Sequence, residues 1–193
     1  MLNNIIPEPW LSFLKALDEA ASCECPLHCL GGFVVTFFYG FSRTTADLDV
    51  LSLPLVTGDD RHRRLIELGR KHSVLHKKYG VYLDCVSVAN LPEGYEDRLT
   101  EMIPGRLRHI RLSALDPYDL ALSKLELNEQ HDRDDVKYLA MTTPFDLKIL
   151  ENRYYQEMRP YLGRPEREDL TLGLWMEMIE EERSKTPPSA PGR

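Results

Sequence analysis

Three aspartates in two short apolar segments have the spacing that metal chemistry requires. Asp47 and Asp49 alternate with Leu48 and Val50 in ADLDVLSL, so in a β-strand both carboxylates project from the same face of the sheet. Two such carboxylates repel each other unless a cation lies between them. Asp84 lies in VYLDCV, in the next predicted strand, where flanking apolar residues would make an isolated charge costly. The alternation of a half-exposed strand could equally point this side chain to solvent. Adjacent strands would place it beside the pair, so the three residues predict a divalent-metal site.

The chemistry that such a metal site supports is nucleotidyl transfer. Mg²⁺, like Mn²⁺, prefers oxygen ligands and typically joins one or two carboxylates to substrate phosphates. Gly31 and Gly32 would let backbone N–H groups approach a triphosphate closely, and a helix beginning there would point its positive end at the same anion. Arg43 either clamps phosphate with its bidentate fork or forms an ion pair with a nearby acid such as Asp47.

A family resemblance adds to this interpretation. GGFVVTFFYGFSRTTADLDVL resembles the glycine-pair, Arg-x-Thr-x-Asp-x-Asp signature of the nucleotidyltransferase superfamily, and is most similar to the AbiEii-like toxin nucleotidyltransferases and their small bacterial relatives. The resemblance covers residues 25 to 142. It implies metal binding and catalysis by Asp47, Asp49 and Asp84, and nucleotide binding by Gly31, Gly32, Arg43 and Thr45.

A second stretch, DPYDLALSKLELNEQHDRDDVKYLA, is similar to the downstream helical motif of the same family. The resemblance implies that Lys124 contacts a nucleotide phosphate. It also implies that Asp119, Asp132 and Asp135 line or brace the site.

Two functions from different classes follow. The first is a metal-dependent nucleotidyltransferase, using Mg²⁺ or Mn²⁺, that moves NMP from an NTP to an RNA acceptor such as tRNA, or to a protein. The family resemblance implies a toxin of a toxin–antitoxin system with an antitoxin-like partner. The second is a catalytically inactive binding or regulatory module of the same fold, because fold alone does not establish function.

Charge and hydropathy limit the partners. The chain has 31 acidic and 24 basic residues and a formal charge of -7, which argues against a dedicated nucleic-acid binder with a broad basic surface. A local patch stays open: one basic cluster either contacts an RNA backbone or is a solvated helix face. Its members are Arg61, Arg63, Arg64, Arg70, Lys71, Lys77 and Lys78. No apolar stretch approaches the roughly 20 residues of a membrane-spanning helix, so we expect a cytoplasmic protein without a membrane partner.

Three cysteines and a histidine crowd into ASCECPLHCLGG, just before the glycine pair. Zinc sites usually draw paired ligands from two separated segments, and no second pair stands at a suitable distance. CPLHCL is therefore predicted to be a short buried strand in which Cys packs as a small apolar residue.

The predicted fold is α/β (α+β), a mixed sheet flanked by helices. We expect a nucleotidyltransferase-type core over residues 1–115, a helical subdomain over 116–185 and a disordered tail over 186–193. Helices are expected at 8–22, between the strand ending at Leu30 and ADLDVLSL, at 59–73, and briefly around YEDRLTEMI. Further strands are expected in YGVYLDCVSVA and LRHIRLSAL, and helical periodicity dominates after Asp116.

Overall fold

The computed structural model of the chain describes residues 6–51, 60–87 and 89–185, with side chains from residue 63 in the second of these ranges. The predicted tail over 186–193 and the side chain of Arg61 lie outside the described residues. The chain divides into two compact units. The first comprises the chain up to Ala89 together with Tyr95–Asp116, and the second comprises Asn90–Gly94 and the chain from Pro117.

A mixed sheet forms the centre of the first unit. Its five strands are β1 (Cys25–Leu30), β2 (Asp47–Leu51), β3 (Tyr82–Val86), β4 (Thr100–Glu101) and β5 (Ile110–Ala114). They stand in the order β3-β2-β1-β5-β4. The pairs β2–β3 and β1–β5 are parallel, whereas β1–β2 and β4–β5 are antiparallel. The predicted mixed sheet flanked by helices is confirmed.

The described residues of the first unit form the α-helices α1 (Trp10–Ala20), α2 (Gly31–Phe33), α3 (Asp60–Gly69) and α4 (Val74–Tyr79). The apolar face predicted for α1 is buried, and its Trp10 ring meets the Phe33 ring edge-on, with the ring centroids 4.7 Å apart. Burial of such aromatic side chains is the main stabilising term in a core of this size.

The segment after the glycine pair is helical, as predicted against its local strand propensity. From α2 the chain continues as a π-helical turn over Val34–Phe38. Val34, Val35 and Phe38 are all buried there, so tertiary packing prevails over the preference of β-branched and aromatic residues for strands.

Two sequence predictions in this unit are wrong in part. The helix expected over 59–73 ends at Gly69, and α4 begins after Ser73, whose hydroxyl caps it by accepting the His76 N–H at 3.1 Å. The helix expected in YEDRLTEMI is only a 3₁₀ turn over Tyr95–Arg98. Beyond it the chain forms β4, because its backbone pairs with the edge of β5.

Asp18, in the last turn of α1, holds the beginning of β5. Its carboxylate accepts hydrogen bonds from the backbone N–H groups of Arg108, His109 and Ile110, each at 2.8 Å. Burial alone would raise the pKa of Asp18, but these three donors outweigh it and hold the pKa below its ordinary value.

The second unit is helical, as its periodicity predicted. Its helices are α5 (Pro117–Leu122), α6 (Gln130–Thr142), α7 (Leu147–Arg153) and α8 (Glu166–Lys185). Helix α7 continues as a π-helical turn over Tyr154–Met158 and a 3₁₀ turn over Arg159–Tyr161. Helices α6 and α8 pack together and bury Val136, Leu139, Trp175 and Ile179. Among the described residues, no helix is both long and apolar enough to cross a membrane.

Candidate active site

The register of β2 and β3 brings the three predicted aspartates onto one face of the sheet. Asp49 stands opposite Asp84, and Asp47 stands opposite Tyr82. Asp47 and Asp49 are half-buried, whereas Leu48 between them is fully buried on the other face. The predicted alternation and the adjacency of the strands are confirmed. Asp84 is exposed, so of the two environments that the sequence left open for it the solvent-facing one is correct.

Thr45 orients the first carboxylate. Its hydroxyl donates to Asp47 Oδ1 at 2.6 Å and lies 3.1 Å from the backbone oxygen of the same residue. A carboxylate held on one oxygen keeps the second one for another partner. The Thr-x-Asp spacing therefore has a structural role here, because it places the Thr45 side chain where it restrains Asp47.

The glycine pair leaves room for two charged side chains. Gly31 has φ +69°, a left-handed conformation, and a Cβ there would overlap the Asp49 carboxylate, lying 2.8 Å from its carboxyl carbon. A Cβ on Gly32 would overlap the Arg43 guanidinium, 3.0 Å from its central carbon. The glycine turn after β1 therefore packs against one acidic and one basic side chain of the signature, Asp49 and Arg43.

Arg43 also borders an open pocket of about 500 Å³. Phe37, Phe41 and Thr36 line the same pocket. The Thr36 hydroxyl is buried and has no hydrogen-bond partner among the residues that the structure describes. A guanidinium beside aromatic side chains suits a ligand that has both an anionic part and a flat apolar part.

The donor set of this face fits a hard divalent cation. Asp47 and Asp49 supply carboxylate oxygens on one sheet face. Because Gly31 has no Cβ, the Asp49 carboxylate can occupy its position without a clash. Among the residues that the structure describes, no three Asp, Glu, His or Cys side chains are gathered so as to hold an ion by themselves. Mg²⁺ needs no such cage, because one or two carboxylates usually bind it together with substrate phosphates and water.

Three of the residues assigned through the helical motif form one ionic cluster inside the second unit. Lys124 Nζ lies 2.9 Å from Asp132 Oδ1 and 2.9 Å from Asp135 Oδ2, and the Lys124 side chain is 7% exposed. Asp132 also accepts the Glu129 N–H at 3.0 Å in the capping box of α6. These contacts hold α6 within this unit. That the aspartates line or brace the site, and that Lys124 contacts a nucleotide, both stay predictions.

The fourth residue of the motif, Asp119, has a partner that the sequence did not indicate. Arg153 Nη1 donates to Asp119 Oδ1 at 3.0 Å, and the Arg153 guanidinium lies over the Tyr118 ring, 4.8 Å from its centroid. Asp119 is fully buried. The two residues stand 34 positions apart, and an arginine at the end of α7 carries no local signal of this contact.

Four of the six residues of the strand before the glycine pair are buried, and both of its cysteines are among them, as predicted. Cys25 and Cys29 both lie in the core, and burial raises the pKa of the Cys25 thiol to about 12. Burial also raises the pKa of Cys29, which donates to the Leu27 backbone oxygen at 3.3 Å. Both thiols are therefore protonated at neutral pH and act as apolar packing groups.

A mixed sheet that sets an Asp-x-Asp strand against a glycine turn followed by a helix is characteristic of nucleotidyltransferases. A family model described as "Nucleotidyltransferase of unknown function (DUF6036)" matches residues 14–183, and the chain belongs to this family. No curated protein and no solved structure matches the sequence. The predicted membership of the nucleotidyltransferase superfamily is confirmed at this level.

Proposed function

We propose that the protein is a metal-dependent nucleotidyltransferase that moves NMP from an NTP to an acceptor hydroxyl. The observation that carries this proposal is the pair of half-buried carboxylates of Asp47 and Asp49 on one sheet face, the second of them set against Gly31. Membership of the nucleotidyltransferase family supports the reaction class.

Asp47 and Asp49, with Asp84 on the neighbouring strand, would hold Mg²⁺ or Mn²⁺. When bound, the ion supplies a lowered pKa for the attacking hydroxyl and neutralises the charge of the departing pyrophosphate. The acceptor oxygen forms a bond to the α-phosphorus, the bond from that phosphorus to the pyrophosphate oxygen breaks, and the hydroxyl proton passes to water. Thr45 keeps Asp47 oriented throughout, through the hydrogen bond to its Oδ1.

Arg43 and the glycine turn bind the nucleotide in this proposal. Backbone N–H groups at Gly31 and Gly32 would donate to the phosphates. The Arg43 guanidinium, which lies against Gly32, would neutralise their charge. The aromatic wall of the pocket beside Arg43 receives the base. Lys124 can contact a phosphate only if it breaks its ion pairs with Asp132 and Asp135. We therefore expect it to contribute less to nucleotide binding than Arg43 does.

The finer family assignment is part of the same proposal. The Arg43-x-Thr45-x-Asp47-x-Asp49 signature supports an AbiEii-like enzyme, with tRNA or a protein as acceptor and an antitoxin-like partner that restrains it.

A second candidate, a non-catalytic module of the same fold, is favoured by one observation. The space against Gly31 and Gly32 already holds the Asp49 carboxylate and the Arg43 guanidinium, so the glycines have a packing role even without a nucleotide. In that case the protein would bind a partner and transfer nothing.

The test is the transfer of label from each of the four α-³²P-labelled NTPs, with Mg²⁺ or Mn²⁺, into total RNA and into the protein itself. Asp47→Ala and Asp49→Ala should each abolish transfer. Asp97→Ala, an exposed aspartate of the same unit, is the matched control and should transfer as the wild type does.

Transfer that persists in both active-site variants would remove the proposed mechanism. No transfer by folded wild-type protein, with any of the four NTPs and either metal, would favour the non-catalytic module.

A further inference from the structure

One surface of the first unit has a charge opposite to that of the whole chain. We name it the α3–α4 basic surface, and its members are Arg63, Arg64, Arg70, Lys71, Lys77 and Lys78. All six side chains are exposed, and Glu67 is the one acidic residue between Arg63 and Lys78. In a chain of net charge -7, such a concentration of positive charge is a local feature of these two helices.

The packing of α3 and α4 turns these cations outward. Both helices contact α1 and each other, and Leu65 of α3 is buried in that interior. Within the described part of this surface, Arg70 pairs with Glu67 at 2.9 Å, and both side chains are more than half exposed. An exposed pair of this kind contributes little, so the field of the surface stays positive.

Lys71 extends the basic surface to β3, the strand that pairs with the one holding Asp47 and Asp49. Lys71 Nζ lies 5.3 Å from the centroid of the Tyr82 ring, and the His76 ring lies 5.1 Å from it, centroid to centroid. Tyr82 stands opposite Asp47 in the register of β2 and β3, on the same sheet face as the carboxylates. A strand of nucleic acid that lies along α3 and α4 can therefore continue to Asp47.

We propose that the α3–α4 basic surface binds the phosphate backbone of a nucleic-acid acceptor and brings its hydroxyl to Asp47 and Asp49. This inference rests on the proposed nucleotidyl transfer and names its acceptor class. Exposed lysines and arginines along one surface match the repeated charges of a phosphate backbone. Lys78 over Tyr79, with its Nζ 4.9 Å from the ring centroid, repeats the pairing of a cation with an aromatic ring that is typical of single-strand binding surfaces.

Binding is measured first, without NTP or divalent metal, so that its result is independent of catalysis. Fluorescence anisotropy follows a labelled single-stranded 20-nucleotide RNA, and DNA of the same sequence, between 50 and 200 mM KCl. The test variant is Arg64→Gln/Lys71→Gln/Lys77→Gln. The matched control removes the same charges from the second unit, as Lys148→Gln/Arg164→Gln/Lys185→Gln, at three exposed positions.

We expect the test variant to weaken binding at 50 mM KCl by roughly tenfold or more. Its plot of log Kd against log salt concentration should be shallower by about 2, since each phosphate contact on a single strand contributes about 0.7 to the slope. The control should bind as the wild type does. Tighter binding of RNA than of DNA would identify RNA as the acceptor, and equal binding would identify the phosphate backbone as the feature recognised.

Equal weakening in the two triple variants would overturn the proposal, because net charge alone would then explain the binding. Binding without salt dependence would overturn it as well. If the wild type transfers nucleotide to RNA and the test variant does so with an unchanged KM for RNA, the acceptor lies elsewhere. Salt-dependent binding of RNA without any transfer would count against the nucleotidyltransferase function and leave the surface in place.

Discussion

The two acidic clusters that the family signature marks in this chain differ in how their charge is compensated. Asp47, Asp49 and Asp84 lie on an accessible sheet face, with a hydroxyl and a glycine turn as neighbours. Asp132 and Asp135 are buried and share the ammonium of Lys124. Charges that meet a ligand must remain reachable, whereas charges that hold a fold are matched within it. Under the proposed function, the difference predicts chemistry for the first cluster and stability for the second.

Removing the cation of the buried cluster should have the largest effect. Lys124→Met leaves two carboxylates in the interior without their ammonium, and we expect a loss of about 3–5 kcal/mol in the free energy of unfolding. Lys137→Met is the control, because its pairing with Glu182 is partly exposed and longer, at 3.8 Å, and should cost at most about 1 kcal/mol. Urea unfolding measures both.

If Lys124→Met keeps its stability and instead raises the KM for NTP, the contrast between the clusters fails. Lys124 would then contact the nucleotide, as the family motif implies.

The accessible cluster should respond in the opposite way. Asp47→Asn and Asp49→Asn remove charge where it would act on a ligand, so nucleotide transfer should fall about 10²–10³-fold. Their free energy of unfolding should change by no more than about 1 kcal/mol, because neither carboxylate is fully buried and Asn keeps the size of the side chain. Steady-state transfer and urea unfolding of the same samples decide this, and a variant that loses activity only by unfolding would contradict the assignment.

Asp18 extends the comparison to the first unit, because its carboxylate has a structural role: it accepts hydrogen bonds from backbone N–H groups at the start of β5. Asp18→Asn should cost about 1.5–3 kcal/mol of unfolding free energy at pH 7. The pKa of Asp18 is held below its ordinary 3.8 in the folded state, so this contribution is full above about pH 4 and is lost as the pH falls through the lowered pKa.

The measurement is urea unfolding of wild type and Asp18→Asn between pH 7 and pH 2.5. Glu19→Gln, at the exposed neighbouring position, is the control and should follow the wild type. A difference between wild type and Asp18→Asn that is the same at both ends of the range would refute the charge-dependent role.

The smallest effect is expected at the glycine turn. Gly31→Ala and Gly80→Ala both place a side chain at positive φ, which costs roughly 1–2 kcal/mol. Alanine at Gly31 also meets the Asp49 carboxylate, whereas no atom of the described part of the chain lies within 4 Å of a Cβ at Gly80. The excess loss at Gly31 should be only about 1 kcal/mol, because the end of a side chain can move aside.

That movement displaces Asp49, so Gly31→Ala should lose transfer activity and Gly80→Ala should retain it. Thermal unfolding and the labelled-NTP assay measure the pair. Equal transfer activity in the two variants would show that the glycine turn does not position Asp49 for the reaction.

Periodicity was sufficient to predict much of the fold. The alternation in ADLDVLSL placed β2 and its two aspartates, and the apolar face of α1 followed from helical spacing. The helix at Val34–Phe38 was predictable only from the order of the motif, since its residues favour a strand. The break between α3 and α4 depends on a left-handed His72, and the fate of Thr100–Glu101 depends on pairing with a distant edge. Neither has a local signal.

The site was predictable in part for the same reason. Asp47, Asp49 and Asp84 are set by strand period and register, which the sequence carries. The contacts of Lys124 and Arg153 depend on how helices pack, and side chains 8 and 34 positions from their partners give no pattern along the chain. The overlap between a Cβ at Gly32 and the Arg43 guanidinium likewise appears only once the turn and the loop before β2 are in place.

The placement of β1 has a consequence for how the protein is made. Strand β1 spans Cys25–Leu30, yet one of its two neighbours is β5, which ends at Ala114. Asp18 holds the start of β5. During synthesis the sheet cannot close until the chain has emerged as far as residue 114. Until then β1 keeps an unpaired apolar edge, and nascent chains that stall between β2 and β5 are the ones most exposed to aggregation.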